Sequence, residues 1–244
     1  MLSDLPVLKH LRRYIHDQDV MYWRARLLPA ENARKINEVA HSEKSVFSLR
    51  TQIAANCIFV HVTKSGGTAV AQALFGEQPH HYRAIQYRAM YGIRRYNAMF
   101  KFAFVRNPWD RLYSAWSYLS GGGWSHFDHR WYIENIARYE DFNTFIRQWL
   151  TEDSISEHIH FWPQSWFLCD KHGRVIVDYV GRFENLADDY EVVSRRLGIG
   201  SPLKQLNTSS RKANYTEIYE PDTIDLVTRV YQQDIDLFGY RFDS

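Results

Sequence analysis

The sequence predicts an α/β fold, with a single domain and a central, mainly parallel β-sheet flanked by helices. Three short apolar runs, at 57–62, 100–105 and 174–180, have the length and composition of buried strands. The first two are each followed by a polar turn and then by an amphipathic helical pattern. Strands that alternate with helices in this way form parallel sheets covered by helices. The 244 residues suffice for one such domain with a sizeable core.

Capping and terminating residues mark the expected helix boundaries. The first strand leads into a helix over 68–75. Asn107 is a suitable cap for the next helix, and Pro108 suits its first position. Three glycines at 121–123 end that helix. The later helices are expected at 142–150 after Asp141, at 185–197 before Gly198, and from Pro221 to about Leu237.

The first fifty residues are polar, charged and compatible with helix. Leu5, Leu8 and Leu11 recur at helical spacing. We therefore expect residues 1–50 to form an N-terminal helical extension that packs on a main domain of residues 51–244.

The composition excludes several classes of protein. A formal net charge of +2 predicts no strongly basic face for a nucleic acid polymer. The two cysteines, Cys57 and Cys169, do not make a disulfide framework and are compatible with a reducing compartment. The N-terminus lacks the apolar core of a signal peptide, and no run of about 18 apolar residues occurs, so no transmembrane segment is expected.

The first polar turn has the sequence TKSGGT and joins a strand to a helix, which is a natural anion site. Gly66 and Gly67 allow the backbone to approach a ligand closely. Ser65 and Thr68 supply hydroxyl groups, and Lys64 supplies a positive charge. Lys64 precedes the glycines, whereas the lysine of a GxxxxGK[ST] loop follows them, which argues against nucleotide hydrolysis. The alternative is an ordinary tight turn with an exposed lysine.

The second polar turn follows the strand at 100–105 and has the sequence RNPWD. Arg106 is suited to a bidentate contact with a phosphate, and Ser114 lies eight residues further on. The alternative is that Arg106 pairs with Asp110 and Ser114 is a small packing residue. Two anion sites that follow adjacent strands predict a ligand with two separate phosphates.

Together these stretches resemble motifs of the PAPS-dependent sulfotransferases, in particular the carbohydrate and heparan sulfate branch and its bacterial members. HVTKSGGT resembles the family's 5′-phosphosulfate loop, and FVRNPWDRLYSAW resembles its 3′-phosphate motif, with Arg106 and Ser114 at the family's spacing. The later stretches GRFE and DIDLFGY also fit, so the resemblance covers about residues 56–242. Thr63 stands where the family usually has proline, and Ser65 where it usually has threonine.

The resemblance implies a P-loop-like sulfotransferase fold and the donor 3′-phosphoadenosine 5′-phosphosulfate (PAPS). Residues Lys64–Thr68 are expected to hold the 5′-phosphosulfate, and Arg106 and Ser114 to hold the 3′-phosphate. Arg211 and Lys212 match a family loop that closes over the donor. Lys64 is also the expected catalytic group that stabilises the leaving phosphate oxygen. This chemistry requires no metal.

A histidine is the expected base that takes the proton from the acceptor hydroxyl. His81 aligns best with the histidine that precedes the family's 3′-phosphate motif, and His80 and Glu77 are the alternatives. His61 lies in the first strand and is expected to pack. His158 and His160 lack a convincing zinc-ligand spacing, so no metal site is expected.

The acceptor is expected to be a hydroxyl-bearing glycan or glycolipid, bound by residues 121–125, 126–140 and 155–166. The aromatic side chains that are candidates for stacking on its rings, with core packing as the alternative, are Trp124, Trp131, Tyr132, Phe161 and Trp162.

Two other functional hypotheses remain open at this stage. One is a nucleotide kinase or NTPase with a variant P-loop, and the other is a nucleotide-binding module without catalysis. Because the sequence lacks the membrane anchor of the family's Golgi members, a soluble, cytoplasmic enzyme of bacterial type is expected.

Overall fold

Groups of helices separate and follow the three strands in the computed structural model, which describes residues 49–78, 80–203 and 214–244. In chain order they are α1 (Leu49–Ala54), β1 (Cys57–Val60), α2 (Gly67–Phe75), α3 (Ala84–Tyr91), α4 (Ile93–Ala98), β2 (Phe100–Val105), α5 (Pro108–Ser120), α6 (His126–Asn135), α7 (Phe142–Trp149), α8 (Gln164–Leu168), β3 (Tyr179–Arg182), α9 (Leu186–Leu197), α10 (Pro221–Val230) and α11 (Gln232–Phe238).

Two expectations fall outside this part of the chain. Residues 1–48 of the expected N-terminal extension are not among the described residues. The same holds for Arg211 and Lys212, the expected basic pair over the donor.

The described chain divides into two compact units. The sheet unit contains the described residues up to Val105 together with those from Gln164 to position 203. The helical unit contains residues 106–163 and 214–244.

The sheet is parallel, as predicted, with the strand order β1-β2-β3. Cys57 pairs with Phe100 and Val60 pairs with Ala103, so β2 extends beyond β1 at the carboxyl edge of the sheet. β2 has the predicted boundaries, whereas β1 ends at Val60 rather than at 62. The expectation of an α/β fold with a parallel sheet flanked by helices is confirmed.

The third strand begins later than the apolar run RVIVDYV indicates. The prediction of 174–180 is wrong for the first part of that run, because β3 covers Tyr179–Arg182. Val175 instead forms an isolated antiparallel bridge with Cys169. One apolar run therefore serves two different pairings, and its composition does not reveal where the first ends and the second begins.

Two helices pack against one face of the sheet. Phe102 and Phe104 are two residues apart on β2, so they lie on the same face of the sheet, and Phe59 on β1 pairs with Phe102 and joins them in one buried cluster. Their buried partners are on α2 and α9, and include Val70, Leu74 and Val193. This contact holds α2 on the sheet, and its N-terminus follows β1 after a turn of only six residues, 61–66.

Local capping signals set the helix boundaries of the helical unit. Asn107 caps α5 by accepting the N–H of Trp109 at 3.1 Å, and Pro108 is the first helical residue, as predicted. Gly121 follows the last residue of α5. Asp141 caps α7, also as predicted.

The last predicted helix is divided in two, so the expectation of one helix from Pro221 to Leu237 is wrong. α10 ends at Val230 and α11 begins at Gln232. Tyr231, between them, is buried, and its hydroxyl donates to the carbonyl of Phe161 at 2.7 Å. The break therefore coincides with a contact to a distant part of the chain, which local helix propensity does not signal.

Candidate active site

The turn between β1 and α2 has an unusual backbone. Lys64 has a φ of 64° and Gly66 a φ of 78°, so both are in the left-handed region. Glycine adopts this conformation without strain, but a residue with a side chain pays about 1–2 kcal/mol for it. Such conformations persist where the surrounding structure enforces them, and they cluster at binding and catalytic sites. The left-handed backbone conformation of Lys64 is therefore enough to make it a candidate functional residue.

Burial and one hydrogen bond hold this turn in place. Thr63 and Ser65 are buried on either side of Lys64, whose own side chain is half-buried. The hydroxyl of Ser65 donates to the carbonyl of Val62 with 2.6 Å between the oxygens. The proton of this hydroxyl is therefore engaged within the turn, and Ser65 reaches a ligand most directly through its backbone N–H.

The N-terminus of α2 is a suitable anion site. Gly66 is the capping residue and makes no side-chain hydrogen bond to the helix, whose first internal bond runs from the N–H of Val70 to the carbonyl of Gly66 at 3.2 Å. The N–H groups of Gly67, Thr68 and Ala69 precede that bond and point toward the helix start. The helix dipole adds positive potential there.

Packing explains why both loop positions are glycine. A Cβ on Gly66 would lie 2.9 Å from Cδ2 of Leu186, in addition to the strain of a positive φ. A Cβ on Gly67 would lie 1.9 Å from Cδ2 and 2.4 Å from Nε2 of His61. The imidazole of His61 thus occupies the space beside Gly67 that a side chain would need.

A stack of rings connects this turn to the proposed base. His61 is 5% exposed and directly follows β1. Its ring lies 5.8 Å from that of Phe59 and 4.5 Å from that of His81, both at interplanar angles of 28°. The structure therefore brings His81 to the polar turn through His61. The sequence indicated only packing for His61, and no feature near it in the chain points to its contact with His81.

The two alternative bases have different surroundings. His80 stacks on Tyr82 at 4.8 Å, and burial together with the positive charge of a protonated His81 lowers the pKa of His80 to about 4. His80 is therefore neutral at neutral pH and is a weak base. Glu77 is half-buried, and its Oε1 accepts a hydrogen bond from the hydroxyl of Thr51 at 3.1 Å.

In the helical unit, Arg106 makes an ion pair with Asp110, which was the alternative to phosphate binding that the sequence left open. The residue is 4% exposed, and Oδ2 of Asp110 lies 2.7 Å from Nε and 2.5 Å from Nη2 of its guanidinium. One carboxylate oxygen thus holds two nitrogens of the guanidinium, which orients the group. Ser114 lies two turns along α5 and is also buried. Phosphate binding by Arg106 and Ser114 stays a prediction.

Most of the aromatic candidates for acceptor binding belong to the core of the helical unit. Trp131, Phe161 and Trp162 are buried, and Trp131 and Phe161 pack with Phe145 and Trp149. Core packing, the alternative considered for these residues, is therefore what the structure has.

Trp124 differs from these residues, because it is 75% exposed on a well-anchored backbone. Its N–H donates to the hydroxyl of Tyr118 at 2.8 Å and to Oδ2 of Asp128 at 3.2 Å. Burial raises the pKa of Asp128, but hydrogen bonds from His158, Ser125 and the Trp124 N–H outweigh it and hold this pKa below its usual range. Asp128 is thus an ionised anchor for the loop, which presents the indole of Trp124 outward.

The described part of the chain holds neither a cluster of metal ligands nor a membrane-spanning helix. Within residues 49–78, 80–203 and 214–244, no three His, Cys, Asp or Glu side chains are grouped as metal ligands. Across the same residues, no helix has the length and apolar character needed to span a bilayer.

Comparison with known proteins identifies the family. A family model described as "Sulfotransferase family" matches residues 54–241. A protein of Archaeoglobus fulgidus that carries the name "Uncharacterized protein" is 26% identical over 129 residues, which are 52% of this chain and 91% of the relative. No solved structure matches the chain. Because the family model covers well over half of the 244 residues and includes both polar turns, the chain belongs to the sulfotransferase family.

Proposed function

We propose that this protein transfers a sulfuryl group from PAPS to a hydroxyl group of a carbohydrate or other glycoconjugate. Membership in the sulfotransferase family supports sulfuryl transfer in general. The observation that carries the proposal further is the turn at Lys64 and Gly66, whose left-handed backbone leads into a helix start with no side-chain cap. A turn of this kind suits a phosphate group that bears the group to be transferred.

The 5′-phosphosulfate is the part of the donor that this turn fits. The N–H groups of Ser65, Gly67 and Thr68 offer hydrogen bonds to its oxygens, and the ammonium of Lys64 offers a compact positive charge. The hydroxyl of Thr68 is a further donor. Because the hydroxyl proton of Ser65 is engaged by Val62, we assign Ser65 a backbone role.

The 3′-phosphate is what distinguishes PAPS from ATP and from adenylyl sulfate, and we assign it to Arg106 and Ser114. The ion pair with Asp110 orients the guanidinium of Arg106 before any ligand binds, which lowers the entropic cost of a bidentate contact. Arg211 and Lys212 are proposed as further positive charges toward the nucleotide.

The proposed reaction is an in-line displacement at sulfur. The acceptor oxygen forms a bond to sulfur while the bond from sulfur to the bridging phosphate oxygen breaks, and 3′,5′-ADP leaves. Negative charge grows on that bridging oxygen, where Lys64 and the N–H groups of the turn stabilise it. The proton of the acceptor hydroxyl passes to His81. In this scheme the protein supplies positioning, charge stabilisation and one base.

We propose Trp124 as a contact for the acceptor. An indole that is exposed on an anchored loop is suited to stacking against the face of a sugar ring, and it loses little side-chain freedom on binding. Phe127, two residues beyond the capping residue Ser125, is also exposed and extends the apolar surface. These two exposed rings and the half-buried ring of Tyr132 lie within the expected acceptor region.

Calorimetry tests the donor assignment. Because Arg106 and Ser114 would bind only the 3′-phosphate, 3′,5′-ADP should bind at least tenfold more tightly than 5′-AMP, as expected from one charge-assisted contact worth about 1.5–3 kcal/mol. The substitution Arg106→Ala combined with Asp110→Asn removes the ion pair as a whole and leaves no unpaired buried charge. This double variant should bind both nucleotides with similar, weak affinity.

Two controls accompany that measurement. Thermal unfolding of the double variant establishes that it is folded, and Asp110→Asn alone separates loss of the ion pair from loss of the guanidinium. Equal affinities of the unaltered protein for the two nucleotides would remove Arg106 and Ser114 from the donor site.

Transfer of labelled sulfate tests the reaction and the acceptor. With labelled PAPS and a panel of glycans, phenols and lipids, we expect label in a glycan or glycolipid. Trp124→Ala should then raise the KM for that acceptor roughly fivefold, since one stacked ring contributes about 1 kcal/mol. Ile93→Ala, which also removes an exposed apolar side chain, serves as the matched control.

The alternative functions predict different results in the same assay. A kinase or NTPase would turn over ATP with Mg²⁺ and would not label any acceptor. A binding module without catalysis would bind 3′,5′-ADP but would transfer nothing. Labelling of phenols alone would contradict the carbohydrate acceptor but leave the donor assignment in place.

A further inference from the structure

His61 is enclosed by three groups that link the turn at 61–66, the proposed site of the donor phosphosulfate, to the proposed base His81. Its ring lies between the rings of Phe59, at 5.8 Å, and His81, at 4.5 Å. Its Cδ2 and Nε2 edge faces Gly67, where even a methyl group would collide with it. The residue is 5% exposed, so these contacts restrict the ring on most sides.

The position of His61 has two consequences for His81. The stacked contact fixes the plane of the His81 ring on the side of the turn, whereas the half-buried His81 itself retains access to solvent. The contact also brings together two imidazoles, each of which is able to take up a proton. At this separation two imidazolium charges repel each other strongly, so the second protonation of the pair is disfavoured.

We propose that His61 is a positioning residue that orients His81 toward the turn at 61–66 and, because the stacked pair disfavours a second proton, keeps His81 available as a base near neutral pH. This inference rests on the proposed function, because it assigns His61 a role through the base of that reaction. His61 itself takes no proton from the acceptor in this scheme.

The other ionisable groups around the pair support this assignment. His80 adjoins His81 in the chain, and its pKa of about 4 means that it adds no charge near neutral pH. Lys64 lies in the same turn as His61 and Arg83 lies two residues beyond His81, and a positive charge beside an imidazole disfavours its protonation. Glu77 is the anion of the segment that leads to His81 and acts in the opposite direction. On β1 and α2, Phe59 and Gly67 lie against His61, and neither of them titrates.

The test is an NMR titration of the imidazole signals in the ligand-free protein, compared between the unaltered chain and two variants. His61→Phe keeps a ring in the stack, and His61→Gln keeps a neutral polar group in a smaller volume. In the unaltered protein we expect the signals of His61 and His81 to titrate over a shared, broadened range. In either folded variant, the His81 signal should titrate as a single group, with its midpoint higher by roughly half a pH unit.

The pH dependence of kcat/KM supplies the second readout. Its acid limb reports the base of the free enzyme, so it should steepen and move to higher pH in the same two variants. His172→Gln, which replaces an exposed histidine of the sheet unit, is the control and should change neither measurement. An unchanged His81 titration in folded His61→Phe and His61→Gln would overturn the inference.

The titration needs no substrate, so it separates this inference from the function on which it rests. If the histidines are coupled but no acceptor takes up sulfate, the proposed reaction fails and the coupled titration of the pair stands as a property of the fold. If sulfate is transferred but the His81 titration is independent of His61, the pair is only a packing contact.

Discussion

Lys64→Ala is expected to lower turnover by about 10²–10³-fold, which is the effect typical of losing one group that stabilises developing charge. The donor should still bind, because the N–H groups at the start of α2 and the residues proposed for the 3′-phosphate remain. The loss should therefore be found mainly in kcat, measured by transfer of labelled sulfate under donor saturation. Lys171→Ala, which removes an exposed lysine of the sheet unit, is the matched control.

The backbone of Lys64 allows this prediction to be separated from an effect on folding. Because Lys64 has a φ of 64°, Lys64→Gly removes the same ammonium and also relieves the left-handed strain. Activity should fall as in Lys64→Ala, whereas the midpoint of thermal unfolding should not fall. Near-normal turnover in both variants would remove Lys64 from the mechanism, and the left-handed conformation would then be a feature of the turn alone.

His81→Ala is expected to abolish most turnover, with a loss of about 10²–10⁴-fold, because the acceptor hydroxyl loses its base. Binding of 3′,5′-ADP should be unaffected, since the base does not contact the nucleotide in the proposed reaction. The measurements are labelled transfer for turnover and calorimetry for nucleotide affinity. A loss of turnover with unchanged nucleotide affinity would place the defect in the chemical step.

The same experiment on the two other candidates decides which residue is the base. His80→Gln should retain most activity, since a group with a pKa of about 4 is a poor proton acceptor for a hydroxyl. The pH profile provides an independent check, because an acid limb as low as pH 4 would contradict His81 as the base. If Glu77→Gln alone abolishes turnover, the base is Glu77 and not His81.

The turn at 61–66 was the most predictable part of the molecule. The order of residues in TKSGGT, after an apolar strand and before a helical pattern, is a local feature, and the structure has a strand, a turn and a helix at those positions. The boundaries of β2 and the caps at Asn107 and Asp141 were predictable for the same reason. Strand composition, glycine and capping side chains act within a few residues, so they can be read from the chain.

The contacts among the site residues were not predictable in this way. The stack of His61 on His81 joins residues that are twenty positions apart and depends on how the segment before α3 lies against the end of β1. For Arg106, the sequence left pairing with Asp110 and contact with a phosphate equally open, and the folded chain has the ion pair. Neither contact has a local signal that favours it over its alternatives.

Burial likewise separated candidates that looked alike in the sequence. Trp124 and Trp131 both lie in the region expected to bind the acceptor, yet one is exposed and the other is part of an aromatic core. The apolar run at 174–180 is divided between a short-range bridge to Cys169 and the long-range pairing of β3 with β2. The helix expected from Pro221 to Leu237 breaks where Tyr231 contacts the distant Phe161. A tryptophan or a valine has the same composition whether it faces solvent or core, so only its neighbours in space decide its role.

The sequence by itself therefore determined the fold class, the family resemblance and the strand, turn and helix around residues 61–66, because strand, turn and cap signals arise from interactions between near neighbours in the chain. The tertiary structure decided which rings are exposed, which carboxylate holds Arg106 and that His81 stacks on His61 at the turn of residues 61–66. These outcomes depend on packing between segments far apart in the sequence, where small differences in burial and geometry select one arrangement among several that local propensities allow.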